Sequence, residues 1–371
     1  MQSYIVIGAG VLGASTAYHL QKSGANVTII DRMEPGQATE AAAGIICPWL
    51  SQRRNKKWYQ LVKGGARYYP ELIQQLESDG LKETGYHQVG AISLHTDDHK
   101  LDQMVERAKK RREDAPEIGE ITKLSKEETK SYFPLLSDEY AGVHVTGGAR
   151  VNGGALRKAL IEGAVKHGAT FMEGDASLAF EGTSITGAYV NGFKQKADKV
   201  IVTAGAWAKE LLAPLGVHFQ VSFQKAQITH LELNDADTAQ WPVIIPPTNK
   251  YLLTFGGGKI VVGATHEDEA GLDYRVTAGG IYDILDKVLA IAPGLKDATY
   301  KETKVGFRPF TPGFLPVFGS LPGFENIYVA NGLGSSGLTS GPYIGRELAK
   351  LALGEETELN PEQYHLQEAI E

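Results

Sequence analysis

Three glycines and a carboxylate near the start of the chain have the spacing of a nucleotide site. Gly8, Gly10 and Gly13 follow the apolar run Tyr4-Ile5-Val6-Ile7, and Asp31 closes a second apolar run, Val27-Thr28-Ile29-Ile30, about 20 residues further on. Glycines in this pattern act through their backbone. Gly8 permits a tight turn out of a strand, Gly10 lets the backbone approach a pyrophosphate, and Gly13 lets the next helix lie close on the sheet. The amides of Val11 and Leu12, at the start of that helix, face the same anion. Asp31 can accept both hydroxyls of a ribose. Arg32 would suit a 2′-phosphate, which the acid before it would repel. The pattern therefore specifies a dinucleotide and leaves NAD or FAD open.

Two further stretches could do chemistry. Asn331-Gly332-Leu333-Gly334-Ser335-Ser336-Gly337 lies between a buried strand, Ile327 to Ala330, and a helix from Leu338 to Leu353, so free amides again gather at a helix N-terminus. Arg308 sits between Phe307 and Pro309 in an apolar, proline-rich run, where a guanidinium is costly without an anionic partner. The single cysteine, Cys47, excludes an intramolecular disulfide and a cysteine-cluster metal site, and no metal is expected.

These groups need a scaffold. Tyr4 to Asp31 reads as strand, helix and strand, the helix ending at Gly24. A small-residue loop, Gly36 to Gly44, leaves room for a flat group, and a long helix follows over Lys57 to Ser78. Val89 to His95, a charged helix over Asp97 to Glu113, a short helix opened by the Ser125-Lys126-Glu127-Glu128 capping box and the strand Gly142 to Val145 form a block without βαβ rhythm. That rhythm returns with the helix Val151 to His167, the strand Ala169 to Met172 and the strand beginning at Lys199 that runs into the Ala204-Gly205-Ala206-Trp207 turn. Ser222 to Leu233, Val243 to Ile245, Tyr251 to Phe255 and Lys259 to Ala264 read as consecutive antiparallel strands, covered by a helix over Val276 to Ala292.

At 371 residues the chain has room for two domains, and 42% hydrophobic with 22% charged residues is the composition of a globular protein. A net charge of −7 argues against nucleic acid as a partner. The basic runs Arg53 to Lys57 and Lys109 to Arg112 read as solvated surface. No run reaches the roughly 18 apolar residues of a membrane span, the N-terminus has no basic region ahead of its apolar stretch, and cysteine usage suits a reducing compartment, so a cytoplasmic protein is expected.

Taken in order, YIVIGAGVLGASTAYHL, the AAAG loop, VIVTAGAWA, YLLTF followed by KIVVGAT, GFRPFTPG and NGLGSSGLTSGP resemble the D-amino-acid oxidase superfamily of FAD enzymes, particularly its glycine oxidase, sarcosine oxidase and D-amino-acid dehydrogenase branches. The resemblance covers essentially the whole chain. It implies an α/β fold in which a Rossmann-like FAD-binding domain of the glutathione-reductase type (1–86, 141–217 and 303–371) is interleaved with an α+β substrate domain on a mixed or antiparallel sheet (87–140 and 218–302).

By the same resemblance, Asp31 and Arg32 meet the adenosine side, and Ala176 meets the adenine through its backbone. Thr39, Ala42, Ala43, Gly44 and Ile45 meet the flavin and pyrophosphate. Ala204, Gly205 and Trp207 belong to the cofactor site, as do Gly332, Gly334, Ser335, Ser336, Gly337, Leu338 and Thr339, whose turn and helix dipole would stabilise negative charge at the flavin N1–O2 edge. Arg308 matches the arginine that grips the substrate carboxylate, and Tyr251 an active-site tyrosine of the glycine oxidase branch. Pro246 and Ser335 replace a second tyrosine and a second arginine of that branch. Val261 stands where sarcosine oxidases have a lysine. Nothing matches the covalent flavin links of the family, so the FAD is expected to be non-covalent.

The activity implied is oxidation of a small amino acid such as glycine, sarcosine or a D-amino acid. Its α-carbon hydride passes to flavin N5, and the imino acid is hydrolysed. Oxygen or a different electron acceptor, such as a quinone or partner protein, stays open. So do a homo-oligomer and an accessory flavoprotein without its own turnover. A plain NAD dehydrogenase leaves the AAAG loop and the second glycine turn unexplained.

Overall fold

Two sheets frame the protein in a computed structural model that describes residues 1–234 and 236–371. The first has six strands in the order Val317–Ser320, Ile327–Asn331, Lys199–Val202, Ser3–Ile7, Asn26–Asp31 and Thr170–Glu173. All neighbours are parallel except the edge strand Val317–Ser320. A parallel sheet must be covered on both faces, and its strands alternate accordingly. Tyr4, Val6, Val27 and Ile29 point into a core shared with the helices Val11–Lys22, Gly153–Lys166 and Gly337–Leu353. Ile5, Ile7 and Ile30 point into the opposite core, with Leu178, Ile185 and Leu212.

That second cover includes a three-stranded antiparallel meander, Ala176–Glu181, Ser184–Val190 and Phe193–Lys196, which the sequence reading did not anticipate. Its signal is present. Asn191 and Gly192, both at positive φ, form the two-residue turn that matches the twist of a hairpin.

The second sheet has eight strands, in the order Thr299–Phe310, Ser222–Glu232, Lys259–Gly263, Tyr251–Thr254, Val243–Ile245, Ala91–His95, Ala141–Val145 and Ile121–Leu124. It is antiparallel except where Val243–Ile245 runs parallel to Ala91–His95, so the sheet is mixed, as the family resemblance implied. The helix Ala278–Ile291 covers it through Ile284, Val288 and Ile291. Two strands near the expected domain boundaries pair into this sheet. Residues 141–145 and 303–310, assigned above to the nucleotide domain, are hydrogen-bonded into this sheet. The long strand Thr299–Phe310 thus runs from this sheet to the small-residue loop after Asp31, where the Phe307 amide donates to the Gly36 carbonyl at 2.9 Å.

The remaining expected elements form within one to three residues of their reading. The capping box of Ser125 and Glu128 is closed on both sides. The helix expected over Val276 to Ala292 begins at Ala278 because Thr277 caps it, its side chain accepting from the Gly280 amide.

Candidate active site

The carboxyl ends of the parallel strands open into a cleft of about 610 Å³, which continues between the two sheets. Ligands of open parallel sheets occupy this position. Its wall is built locally by the first glycine turn. Gly8 takes φ +95, and a Cβ there would strike the Thr203 carbonyl. One on Gly13 would overlap the Gly8 carbonyl oxygen. Gly10 differs, since a Cβ there would meet only Thr39 Oγ1, at 3.5 Å, and otherwise point into the cleft.

Asp31 does more than face the cleft. The Ala9 amide donates to its Oδ2 at 2.6 Å, and the Met33 amide and Gln37 Nε2 donate to its Oδ1 at 2.7 and 2.9 Å. The carboxylate therefore holds the turn in shape. Arg157, missed in the sequence, supports it from below by donating to the Ala9 carbonyl at 2.6 Å. The Val11 amide, expected to face an anion, donates instead to Thr39 Oγ1 at 3.0 Å. Thr39 is thereby fixed on the helix end, and Val11 and Leu12 still line the cleft.

Arg32 lies over the Trp207 ring at 5.5 Å and pairs with Glu34 at 3.1 Å. With Ala176 they line one end of the cleft. Ala42, Ala43, Gly44, Ile45, Ala204 and Gly205 line the cleft as well. From the second glycine turn come Gly334, Ser335, Gly337, Leu338 and Thr339. Gly332 and Ser336 lie outside the lining. The Gly332 amide is held by Asn331 Oδ1 at 2.7 Å, and a Cβ there would strike Thr311, while Ser336 Oγ accepts from Trp58 Nε1 at 2.9 Å. Asn331 also donates to the Gly205 carbonyl at 2.9 Å and so ties two turns together.

The cleft suits an FAD. Its volume falls in the range of roughly 300–1,000 Å³ for cofactor sites. Neither the helix beginning at Val11 nor that beginning at Gly337 is capped by its N-cap side chain, and apart from the Val11 amide, taken by Thr39, this leaves helix-end amides for phosphate and for an anionic ring edge. Cys47 is buried beside the cleft and does not line it. Burial pushes its thiol up to about 12, so it carries no thiolate.

At the far end, Arg308, Tyr251, Asn249 and His266 line the same cleft. Strand register brings them there. Gln224 pairs opposite Arg308, and its Oε1 accepts from Arg308 Nη1 at 3.0 Å while its Nε2 donates to Asp268 at 2.7 Å. No carboxylate among the described residues lies within ion-pair distance of Arg308. Burial raises the Tyr251 phenol above its usual range, and the nearby Arg308 charge pulls it partly back, so it remains a protonated donor. Burial lowers His266, and the Arg308 and Lys250 charges lower it further, so the imidazole is neutral at neutral pH. Asn249 Nδ2 lies 3.3 Å from His266 Nδ1. With the amide as donor, the imidazole proton sits on Nε2.

Asn249, His266 and Gln224 were missed in the sequence. Asn249 stands two positions before Tyr251, the period of a strand face, and this was the available signal. Nothing local pointed to Gln224 or His266, which depend on long-range register. Val261, at the position of the sarcosine oxidase lysine, is buried in the core.

A profile of the FAD-dependent oxidoreductase family matches residues 3–351. An uncharacterized oxidoreductase of Bacillus subtilis, YurR, is 65% identical over 98% of both chains, and the glycine oxidase of Pseudomonas aeruginosa 28% identical over 97% of both. The crystal structure of iminodiacetate oxidase from Chelativorans sp. BNC1 superimposes with a TM-score of 0.95 at 44% identity, covering 98% of each chain. The family profile spans nearly the whole chain and the fold superimposes over its full length on that of a named oxidase, and the chain belongs to the D-amino-acid-oxidase type of FAD-dependent oxidoreductases.

Proposed function

We propose that this enzyme oxidises the carbon–nitrogen bond of a small amino acid held by its carboxylate on Arg308, and that its preferred substrates are N-substituted glycines of the iminodiacetate kind. One observation carries the reading. Arg308 is a half-buried guanidinium that lines the cleft beside Tyr251, is held by a neutral amide, and has no carboxylate of its own among the described residues. A guanidinium fork so placed is complementary to an external carboxylate through two parallel hydrogen bonds.

The resemblance to iminodiacetate oxidase supports the finer choice of a secondary amine with a second carboxylate. That group would accept from Asn249 Nδ2 and His266 Nε2, while Arg308 takes the first. Tyr251 would donate its phenol proton to a carboxylate oxygen. Bound FAD supplies the two-electron acceptor for the hydride leaving the substrate carbon. The task of the chain is then to hold the amine neutral, the carbon aligned and bulk water out, and the imine is hydrolysed to an oxo acid and an amine. Cys47, protonated and outside the lining, supports a non-covalent cofactor.

Anaerobic mixing of flavin-loaded protein with iminodiacetate, sarcosine, glycine and D-amino acids tests the reading. Iminodiacetate should bleach the flavin fastest, and an oxygen electrode on the same samples distinguishes oxygen from another acceptor. Arg308→Ala should lose about 2–5 kcal/mol of substrate capture with FAD retained, and Arg308→Lys should rescue part of it. Failure of every compound to bleach the flavin, or unchanged kinetics in Arg308→Ala, overturns the assignment. Acid denaturation should release all the flavin into the supernatant, and yellow colour in the pellet would contradict a non-covalent cofactor.

A further inference from the structure

The two basic runs of the sequence, distant along the chain, meet in space. The segment 52–56 and the first turn of the helix Lys56–Ser78 face the end of the helix Asp98–Arg112 across a second cavity of about 450 Å³, which shares no lining residue with the cofactor cleft. Arg53, Arg54, Lys56, Arg107 and Arg111 line it, and no Asp or Glu does. None of the five lies within ion-pair distance of a carboxylate among the described residues. Of the acids nearby, Asp114 pairs with Lys63 at 2.6 Å and Glu106 with Lys109 at 3.1 Å, while Glu117, whose charge reaches Tyr59, has a buried Oε1 without a hydrogen-bond partner and does not line the cavity.

Cations gathered without counter-charge repel one another, and a protein usually disperses such a group into solvent. Here several are fixed in place. Arg111 Nη1 donates to the carbonyls of Trp49 and of Ser51, the latter at 2.6 Å, and its guanidinium lies over the Tyr59 ring at 4.7 Å. Arg53 lies over the Trp58 ring at 4.6 Å. Two lining residues also carry buried polar atoms with no partner, Arg107 Nε and the Tyr59 hydroxyl. Burial pushes the Tyr59 phenol up to about 12, so it stays a donor. Unpartnered donors and held guanidinium groups around a cavity of ligand size lack one thing, an acceptor.

We propose that this cavity binds a small anion of charge two or more, a polycarboxylate or a phosphate, at a site separate from the cofactor cleft. Carboxylate and phosphoryl oxygens fit the guanidinium fork equally, so the charge number and the size are the selective features. The net charge of −7 disfavours a nucleic acid as the occupant.

Calorimetric titration of the FAD-loaded enzyme with citrate, inorganic phosphate and acetate tests this. Citrate or phosphate should bind saturably and acetate should not. Tighter citrate assigns the site to carboxylates, and tighter phosphate assigns it to phosphoryl groups. Arg107→Gln should weaken that binding about tenfold or more. Arg54→Gln, at an exposed position, provides a second variant if Arg107→Gln fails to fold. Arg308→Ala should leave the binding unchanged, which separates this site from the substrate end of the cleft. Absence of saturable binding, equal binding in the folded cavity variants, or loss of binding in Arg308→Ala would each overturn the proposal.

Discussion

The two ends of the cleft are built by opposite means. At the proposed cofactor end the working groups are backbone amides and missing side chains, and Gly8, Gly10 and Gly13 with Asp31 come from a single strand, helix and strand. At the proposed substrate end they are side chains, and Gln224, Asn249, Tyr251, His266 and Arg308 are drawn from strands and loops of the mixed sheet. The first end can hold an invariant group because its shape is set by local geometry. The second can be retuned one side chain at a time without disturbing the fold. This division suits a family whose members share FAD and differ in substrate.

The sharpest way to break the comparison is at the glycines, which should not be equivalent. Gly13→Val drives a side chain into the Gly8 carbonyl and Thr203 Oγ1, and its overpacking should cost on the order of 3 kcal/mol of stability, read as a lowered thermal midpoint. Gly10→Val meets only Thr39, so the protein should fold with near-native stability and bind no flavin. Retention of FAD by Gly10→Val would contradict its place against the pyrophosphate. A folded, flavin-loaded Gly13→Val would show that the turn can yield where it looks tightest.

The same division explains what the sequence disclosed. Glycine spacing is a local signal, and it located the first turn, the first helix and the second glycine turn, because each is decided by neighbours within a few residues. Where the reading failed, distance was the cause. Gly332 looks like Gly334 in sequence, yet Thr311 fills the space before it and Asn331 takes its amide. The boundary expected at 303 falls inside a strand of 12 residues, Thr299–Phe310, whose long-range pairing no local signal announces. The meander after Ala176 had its Asn191-Gly192 turn in plain view. Its strands are short and half exposed, and weak alternation hid them.

A smaller effect probes the side-chain end. Gln224 touches the substrate site only through Arg308, so it is a positioning residue. Gln224→Leu leaves Arg308 Nη1 without its acceptor and should cost about 1–2 kcal/mol in kcat/KM, mostly in KM, with the flavin spectrum unchanged. Gln224→Glu should be worse than Leu, because it places an internal carboxylate beside the guanidinium reserved for the substrate. Equal losses in the two variants would mean that Gln224 acts through packing alone.

The smallest effect contrasts two histidines held neutral, one in the last turn of the first helix and one lining the cleft. His19, on the helix of the first glycine turn, lies 2.7 Å from the Tyr68 hydroxyl, and burial first, then the charges of Arg346, Lys22 and Lys350, push it down to about 3. Its folded pKa lies below the unfolded value of about 6.5, so its contribution to stability is complete above that pH. The contribution is lost as pH falls from about 6.5 toward 3, because the unfolded chain takes up the proton first. One pH unit into that window corresponds to about 1.4 kcal/mol, and since His19 keeps an edge toward solvent the expected loss at pH 5.5 is on the order of 1 kcal/mol. Urea midpoints at pH 7.5 and 5.5 should therefore fall further in wild type than in His19→Gln. His266 is lowered for the same reason, yet it faces the cleft, and a bound dicarboxylate should raise its pKa while leaving His19 untouched. Calorimetry of iminodiacetate binding near pH 6, in two buffers of different ionisation enthalpy, should register proton uptake that persists in His19→Gln and disappears in His266→Asn. Uptake that instead vanishes with His19→Gln would mean that the helix end senses the ligand, and the separation between a cradle fixed by the fold and a substrate end tuned by side chains would fail.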